Sequence, residues 1–296
     1  MGLEAASVVR WEHRPQLRQP IMIAAFEGWS DAGDAASLAA RYLSESWPVR
    51  RFATIDPEEF FDFTANRPQI RMADGGSSRR IEWPETLLAA GPIPGTGRDV
   101  IILRGVEPQL RWRGFCTTVL GVATTLNAQM VLTLGALLAD VPHTRPVPIA
   151  GAAYEATLAT KYGLQISKYE GDTGIVGVLH DACLRAGVPS AGLWASVPHY
   201  VHQISSPKAA LALVERTSSL LGVRLDPVEL RAAGDVYVRQ VNERVADDED
   251  ATAYVAQLEE ASDRLAAEAP PSDVVLPSAD SLAAEAERFL RDIGKD

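Results

Sequence analysis

Cysteine is scarce in this chain. Of its 296 residues only two are cysteines, Cys116 and Cys183. Each lies in an apolar, helix-like segment, and neither is followed by a spacing typical of metal ligands. We therefore expect two buried thiols in a reducing compartment, and the sequence alone leaves a disulfide open.

Long hydrophobic runs are also missing. No stretch of eighteen apolar residues occurs, and the first twenty residues mix charge and proline without an apolar core. A membrane-spanning helix needs about 20 mostly apolar residues, and a secretory signal peptide needs a shorter apolar core. We expect no membrane span, no signal peptide and a cytoplasmic location.

Positive charge is outnumbered: 28 Lys and Arg stand against 39 Asp and Glu, a formal net charge of −11. Phosphates repel such a chain, and it has no basic stripe, so nucleic-acid binding is disfavoured. Residues 226–296 hold 18 acidic and 7 basic residues, whereas residues 1–225 are neutral. This contrast predicts a core domain over 1–225 and an acidic helical appendage over 226–296. The acidic residues form either solvated helix faces or a surface that selects a basic partner.

Signatures of cofactor binding and catalysis are absent. No G-x-G-x-x-G follows the first strand and no GK[ST] occurs, so no nucleotide cofactor is expected. Ser30 does not fit a nucleophile elbow, because the second glycine follows it by three residues instead of two. His199 and His202 are three apart, but no cysteine or carboxylate completes a metal site nearby. We predict no catalytic residue, no metal ligand and no cofactor.

Buried strands alternate with helices along most of the chain. The predicted strands cover 21–26, 51–55, 79–83, 99–103, 129–138, 165–169 and 190–197. The predicted helices cover 35–47, 112–126, 154–162, 171–185 and 207–221, followed by 229–245, 250–268 and 281–293 without further strands. This alternation predicts an α/β fold whose mostly parallel sheet is covered by helices on both faces.

Polar loops follow several predicted strands, at the edge where parallel sheets collect ligands. The ligand-pocket candidates in these loops are Glu27, Gly28, Trp29, Asp31, Arg104, Glu107, His143, Arg145, Glu170, Gly171, Thr173, His199 and Tyr200. Asp31 or Asp34 fits a helix cap. His143 and His199 fit either proton transfer or structural hydrogen bonding.

The loop 170–174 presents glycines before a helix N-terminus, which favours an anion. Thr173 would also serve as an ordinary N-cap, and Glu170 and Asp172 would repel a phosphate. Both interpretations stay open at this point.

A dense charged cluster surrounds Trp112. Arg104, Glu107, Arg111 and Arg113 lie close to it in the sequence. One interpretation is an intramolecular ion-pair network, because buried charges must be paired. The other is a subunit interface with Arg111, Trp112 and Arg113 as candidates, because Arg and Trp are enriched at interface cores.

Five segments together resemble the proteasome assembly chaperone 2 family, and most closely its actinobacterial members. They are FEGWSDAGDAA (26–36), LRGVEPQLRWRGFC (103–116), GALLADVPHTRPVP (135–148), YEGDTGIVGVLHDAC (169–183) and LWASVPHYV (193–201). The resemblance covers roughly residues 21–221 in the expected order. It implies a three-layer α/β sandwich similar to nucleoside phosphorylases and peptidyl-tRNA hydrolases, with a C-terminal helical appendage.

Eukaryotic and archaeal relatives in this family help to assemble proteasome core particles, often as oligomers. The resemblance therefore implies a non-catalytic protein-binding or assembly factor. Its partners would be proteins, with proteasome subunits as first candidates, and it would form a homo-oligomer, for example a trimer. Some relatives dock through a tail with a hydrophobic residue, a tyrosine and a final residue. This sequence ends Ile293-Gly294-Lys295-Asp296, so that mode of docking is not implied.

The alternative is a small-molecule-binding protein or enzyme on a phosphorylase-like scaffold. The polar strand-end loops motivate it, and one scaffold hosts many chemistries. Convergence of these loops in one concave pocket would favour this second function.

Overall fold

The computed structural model describes residues 8–73 and 78–268, and the helix predicted over 281–293 lies outside them. The strands are β1 (Val9–Trp11), β2 (Ile21–Glu27), β3 (Arg50–Ile55), β4 (Gln69–Ala73), β5 (Ser78–Glu82), β6 (Thr86–Pro92), β7 (Asp99–Val106), β8 (Met130–Ala139), β9 (Ile149–Ala153), β10 (Gln165–Ile166) and β11 (Ser190–Pro198). The α-helices are α1 (Ala35–Ser46), α2 (Trp112–Thr125), α3 (Ala156–Tyr162), α4 (Ile175–Ala186), α5 (Pro207–Leu221), α6 (Val228–Ala246) and α7 (Glu249–Glu268).

The main sheet has nine strands in the order β1-β3-β6-β7-β2-β8-β11-β9-β10. At its centre β7, β2, β8 and β11 run parallel, which confirms the prediction of a mostly parallel sheet. The pairs β1–β3, β3–β6, β6–β7 and β11–β9 are antiparallel. Strands β6 and β9 were not predicted from the sequence. Both are rich in alanine and glycine and lie near prolines, and this composition is also typical of loops.

Helices cover both faces of this sheet, so the predicted three-layer sandwich is confirmed. Alternate residues of β2 point to opposite faces. Ile21 and Ile23 pack in the cluster that includes α1 and α5, whereas Met22 and Phe26 pack in the cluster that includes α2 and α4. The continuous apolar run of β2 follows from this burial on both sides.

The predictions about the two cysteines and about membrane-spanning helices can be compared with the described residues. Cys116 and Cys183 are both buried and free, and burial raises the pKa of each thiol to about 12. Within residues 8–73 and 78–268, no helix is both long and apolar enough to cross a membrane.

The C-terminal helices pack against the sandwich. Helix α6 contacts α5, and α7 contacts α6. Tyr237 and Val241 of α6 are buried against Val201, just after β11. The helices predicted over 229–245 and 250–268 are thus present as α6 and α7. The division into domains at 225/226 stays a prediction.

Strands β4 and β5 form a separate two-stranded ribbon (69–73 and 78–82). The strand predicted over 79–83 is β5, and residues 74–77 lie outside the described residues. Ile70 lies opposite Ile81, and Met72 lies opposite Arg79. The exposed fractions of Ile70, Met72 and Ile81 are 65%, 59% and 54%. The ribbon therefore presents apolar side chains to solvent.

Candidate functional site

A cleft of about 900 Å³ opens at the carboxyl edge of the parallel strands. Three loops border it: 28–34 after β2, 169–174 before α4, and 202–205 after β11. Residues of β8, β9, β11 and α4, together with Tyr154 and Ser167, complete its walls. Because open α/β sheets bind ligands at this edge, the cleft is the candidate functional site.

Small residues on neighbouring strands make room for Trp194 in the cleft wall. In the sheet register, Trp194 of β11 lies between Gly135 of β8 and Ala150 of β9. A Cβ atom at Gly135 would lie 2.6 Å from the Trp194 ring, so a larger residue there would displace the indole. Tyr154 also lines the cleft, which gives it an aromatic wall.

Asp31 lines the cleft and caps α1. Its Oδ1 accepts hydrogen bonds from the backbone N–H groups of Ala36 (2.7 Å) and Ser37 (3.1 Å). Of the two predicted caps, Asp31 therefore bonds to α1, whereas the side chain of Asp34 makes no such bond. Its Oδ2 has no hydrogen-bond partner among the described residues, and neither has the hydroxyl of Ser30. Asp31 is 5% exposed and Ser30 is 2% exposed.

Burial is the main influence on the ionisation of Asp31. It raises the pKa of this carboxyl from 3.8 to about 6, against the opposing effect of hydrogen bonds from Ser37 and Ala36. A half-partnered carboxylate with a raised pKa in a cleft is a typical feature of functional sites.

The N-terminus of α4 is capped from a different loop. Glu107 follows β7, and its Oε1 accepts a 2.7 Å hydrogen bond from the backbone N–H of Ile175. The prediction of Thr173 as N-cap is wrong, because Gly174 occupies the N-cap position of α4. The Thr173 hydroxyl donates to the carbonyl oxygen of Gly174 and accepts no hydrogen bond from the first turn of the helix. The Glu107 carboxylate occupies the position where an external anion would accept the Ile175 N–H.

Replacing Glu107 tests this long-range cap. We expect Glu107→Ala to lower the free energy of unfolding by about 1–2 kcal/mol, the usual cost of a lost N-cap. Glu107→Gln keeps an acceptor oxygen, so we expect a smaller loss. Urea denaturation measures both, with the exposed Glu45→Ala as control. Equal effects of all three substitutions would contradict the cap.

Carboxylates dominate the charge of the cleft. The acidic residues that line it are Asp31, Asp34, Glu170, Asp172 and Asp181. Of these, Asp181 is paired with Arg185 at 2.5 Å. No lysine or arginine is among the described residues that line the cleft. The part of the chain that the structure describes also contains no group of three or more His, Cys, Asp or Glu suited to a metal ion.

A histidine is buried next to the aromatic wall. His180 of α4 is fully buried, and its ring stacks on Tyr154 with the centroids 4.2 Å apart. Its Nε2 lies 2.8 Å from the hydroxyl oxygen of Thr133, and its Nδ1 has no hydrogen-bond partner among the described residues. Burial lowers the pKa of His180 to about 3, so the ring is neutral near pH 7.

His143 belongs to a second group of predicted residues, which anchors the C-terminal helices. The Tyr200 hydroxyl accepts a hydrogen bond from the His143 backbone N–H at 2.9 Å and lies 2.8 Å from Nδ1 of the ring. Because this hydroxyl then donates to Nδ1, the Nε2–H is left to donate to Oδ1 of Asn242 in α6, at 2.8 Å. Burial lowers the pKa of His143, which agrees with a neutral, structural ring.

Arg145 and His199 hold α7 in the same way. Arg145 makes two 2.8 Å hydrogen bonds to the carboxylate of Asp263, and these bonds hold the pKa of Asp263 below its usual value. His199 lies 2.8 Å from Asp140, which also accepts a 2.7 Å hydrogen bond from the Tyr254 hydroxyl. The polar ends of β8 and β11 thus contact helices of this same chain.

The comparison with known proteins identifies the family. A family model described as the PAC2 family matches residues 25–245, about three quarters of the chain. The chain belongs to the PAC2 family. This confirms the resemblance found from the five sequence segments.

Solved structures resemble this PAC2 chain over most of its length. A PAC2 family protein from Streptomyces avermitilis is 47% identical and covers 80% of this chain and 99% of its own, with a TM-score of 0.74. A proteasome-assembly chaperone homologue from Mycobacterium tuberculosis is 46% identical and covers 79% and 99%, with a TM-score of 0.72. A Mycobacterium tuberculosis protein of unknown function is 27% identical and covers 98% of both chains, with a TM-score of 0.80. No curated protein matches this chain significantly.

In this PAC2 chain the predicted pocket residues do not all meet. Those that line the cleft are Gly28, Trp29, Asp31, Glu170, Gly171 and Thr173. Those that do not line it are Glu27, Arg104, Glu107, His143, Arg145, His199 and Tyr200. Glu107 caps α4 instead, and Glu27 and Arg104 lie on β2 and β7 outside the cleft. His143 contacts α6, Arg145 contacts α7, Tyr200 is bonded to His143, and His199 is bonded to Asp140. These seven residues are therefore removed from the predicted pocket set.

The aromatic wall of the cleft was not predicted from the sequence of this PAC2 chain. Tyr154 and Trp194 line the cleft, and His180 lies behind Tyr154. All three lie within or next to segments predicted as regular secondary structure, where aromatic residues usually indicate core. The small residues Gly135 and Ala150, which lie beside Trp194 in the sheet, were the sequence feature that could have indicated this wall.

The charged cluster around Trp112 is partly paired within the chain. Arg111 forms a 2.7 Å ion pair with Glu59, and the indole N–H of Trp112 donates to the carbonyl oxygen of Pro108. The backbone of Arg111 has a positive φ of 53° at the start of α2. The interface role of Arg111, Trp112 and Arg113 stays a prediction.

Proposed function

We propose that this PAC2 family chain is a non-catalytic protein-binding factor that acts in proteasome assembly in the cytoplasm. Family membership supports the proposal, as does the 46% identity to a structure described as a proteasome-assembly chaperone homologue. Within this chain, the exposed apolar face of the ribbon (69–73 and 78–82) is the observation that carries it.

The ribbon face has the composition of a protein contact. Ile70 and Met72 lie two residues apart on β4, so they share one face, and Ile81 lies opposite Ile70 on that face. Each is more than half exposed. Contiguous apolar surface of this kind typically marks interaction sites.

The charge of the ribbon indicates the kind of partner surface it fits. Its two strands carry Arg71, Arg79 and Arg80 against a single acidic residue, Glu82, although the whole chain has a net charge of −11. Arg71 and Arg80 both pair with Glu82, and Arg79 lies opposite Met72 on the apolar face. We infer a proteasome subunit surface that is apolar at its centre and acidic at its rim.

Substitutions in the ribbon test this proposal. The triple variant Ile70→Thr, Met72→Thr and Ile81→Thr removes the apolar face and keeps residues that favour strands. Immobilised protein would be mixed with purified proteasome α and β subunits of the source organism. We expect the wild type to retain subunits and the variant to bind them about tenfold more weakly or worse.

A matched control uses exposed apolar residues elsewhere. Val228, Val236 and Leu265 of α6 and α7 are 58%, 42% and 66% exposed, and replacing all three with Gln removes a similar apolar area. We expect this control to retain subunits like the wild type. Failure of the wild type to retain any subunit, or equal retention by the ribbon variant, would contradict the proposal.

The proposal includes a homo-oligomer, for example a trimer, as the working form. The mass of the purified protein in solution, from light scattering, measures this directly. A reduced mass of the ribbon variant would assign the ribbon to contacts between copies of this chain, and an unchanged mass would leave it available for another partner.

A further inference from the structure

The cleft has chemical properties that the proposed contact through the ribbon does not use. It combines carboxylates at its border with an aromatic wall, and no lysine or arginine is among the described residues that line it. Anionic ligands would meet repulsion from these carboxylates. The N-terminus of α4, which would otherwise favour an anion, is already bonded to Glu107.

Two buried polar groups at the cleft lack partners. Oδ2 of Asp31 and the hydroxyl of Ser30 have no hydrogen-bond partner among the described residues, and each residue is at least 95% buried. Buried polar groups are nearly always hydrogen-bonded, and an unpaired buried carboxylate is especially costly. A donor with positive charge would satisfy both atoms at once, since the carboxylate only accepts hydrogen bonds when ionised.

Aromatic side chains in the same cleft are a further feature that favours a cationic ligand. Trp29 precedes Ser30 and is 51% exposed, although its ring lies against Gly174, where a Cβ atom would come within 2.9 Å of it. Tyr154 and Trp194 line the wall formed by the sheet. Aromatic faces attract ammonium and guanidinium groups and also contact apolar stems.

We propose that the cleft binds an organic cation, an ammonium or guanidinium group on an apolar stem, whose charged end contacts Asp31 and Ser30 while its stem packs on the aromatic residues. The same group reaches the cleft either as a free amine or as a lysine or arginine side chain of a protein. The volume of about 900 Å³ falls within the usual range for small-molecule sites and accommodates either source.

Three probes with the same phenyl group and different charge test the proposal at pH 7.5. Phenethylammonium is the cation, 2-phenylethanol is neutral, and 3-phenylpropionate is the anion. We expect the cation alone to raise the melting temperature and to give a measurable dissociation constant by calorimetry, since a ligand of the folded state stabilises it. Equal effects of the three probes, or no effect of the cation, would overturn the proposal.

Variants locate the bound cation. Asp31→Asn keeps an acceptor for the α1 cap and removes the charge, so we expect binding of phenethylammonium to weaken about tenfold or more. Glu45→Gln removes an exposed carboxylate of α1 that does not line the cleft, and we expect little change. Trp29→Leu should weaken binding, and Trp29→Phe should restore part of it. Unchanged binding by Asp31→Asn would overturn the proposal.

Two further probes separate the sources. Agmatine carries a guanidinium group on a free amine, and the blocked tripeptide acetyl-Gly-Arg-Gly-amide carries it on a peptide. Tighter binding of the tripeptide would assign the site to a basic side chain of a protein, and tighter binding of agmatine would assign it to a free amine. These measurements are independent of the ribbon and of proteasome subunits, so either proposal can fail alone.

Discussion

Asp31→Asn is expected to make the protein more stable at pH 7.5, by roughly 2–3 kcal/mol. Burial raises the pKa of this carboxyl from 3.8 to about 6, so its ionisation is less favourable in the folded protein than in the unfolded chain. Asparagine keeps an oxygen that accepts from Ala36 and Ser37 but carries no charge. Urea denaturation of both proteins measures the difference.

The size of this effect depends on pH. Between about pH 4 and 6 the folded protein holds a proton on Asp31 that the unfolded chain releases, so this group's contribution to stability falls as the pH rises. Below pH 4 both states are protonated, and the variant should lose its advantage. A gain that is absent below pH 4, grows between about pH 4 and 6 and is complete above pH 6 is the expected pattern.

A neighbouring carboxylate provides the control for Asp31. Asp34 also lines the cleft, but it is exposed and its side chain accepts from the Ser205 hydroxyl. Asp34→Asn should not stabilise the protein. A destabilised Asp31→Asn variant at pH 7.5 would show that the ionised carboxylate supports the fold, and it would remove the physical basis for Asp31 as a ligand-binding group.

The second large effect concerns His180. Burial lowers the pKa of this histidine to about 3, whereas the unfolded chain protonates it near its ordinary value of 6.5. Its contribution to stability is complete above pH 6.5 and is lost as the pH falls, by about 3 kcal/mol between pH 7 and pH 4.5. We expect His180→Gln to remove this acid sensitivity while its amide still reaches Thr133.

Asp31 and His180 change stability in opposite directions on acidification, so the experiment on His180 uses the Asp31→Asn background. Free energies of unfolding at pH 7 and pH 4.5 would be compared with and without His180→Gln. The exposed His13→Gln serves as control, because it removes a histidine that lies on the surface of the folded protein. An unchanged slope in the His180 variant would contradict a neutral buried ring.

Much of the fold could be predicted because its signals are local. The apolar run of β2 and the glycine-containing loop after it placed the first predicted strand and α1, and Asp31 or Asp34 was predicted as a cap from its position before that helix. Family resemblance then supplied the three-layer architecture. Strands β6 and β9 were missed because their small residues lack the branched or aromatic side chains that indicate strands.

The candidate site could be predicted only in part because its contacts are distant in sequence. His143 contacts Asn242, 99 residues further along the chain, and the Glu107 carboxylate caps a helix 68 residues away. Loop composition could not show that His143 and Arg145 contact α6 and α7 while Asp31 lines the cleft. The strand 79–83 was also interpreted correctly as a strand, but its pairing with β4 outside the main sheet depends on tertiary structure.

Assembly of the proteasome core particle in the source organism tests the central proposal most directly. The gene for this chain would be deleted and replaced by the wild type, by the ribbon variant (Ile70→Thr, Met72→Thr and Ile81→Thr), or by the control with Val228, Val236 and Leu265 changed to Gln. Native gels would measure the fraction of α and β subunits in complete particles. We expect this fraction to fall on deletion and to recover with the wild type and the control but not with the ribbon variant. An unchanged fraction in the deletion strain would contradict a role in proteasome assembly.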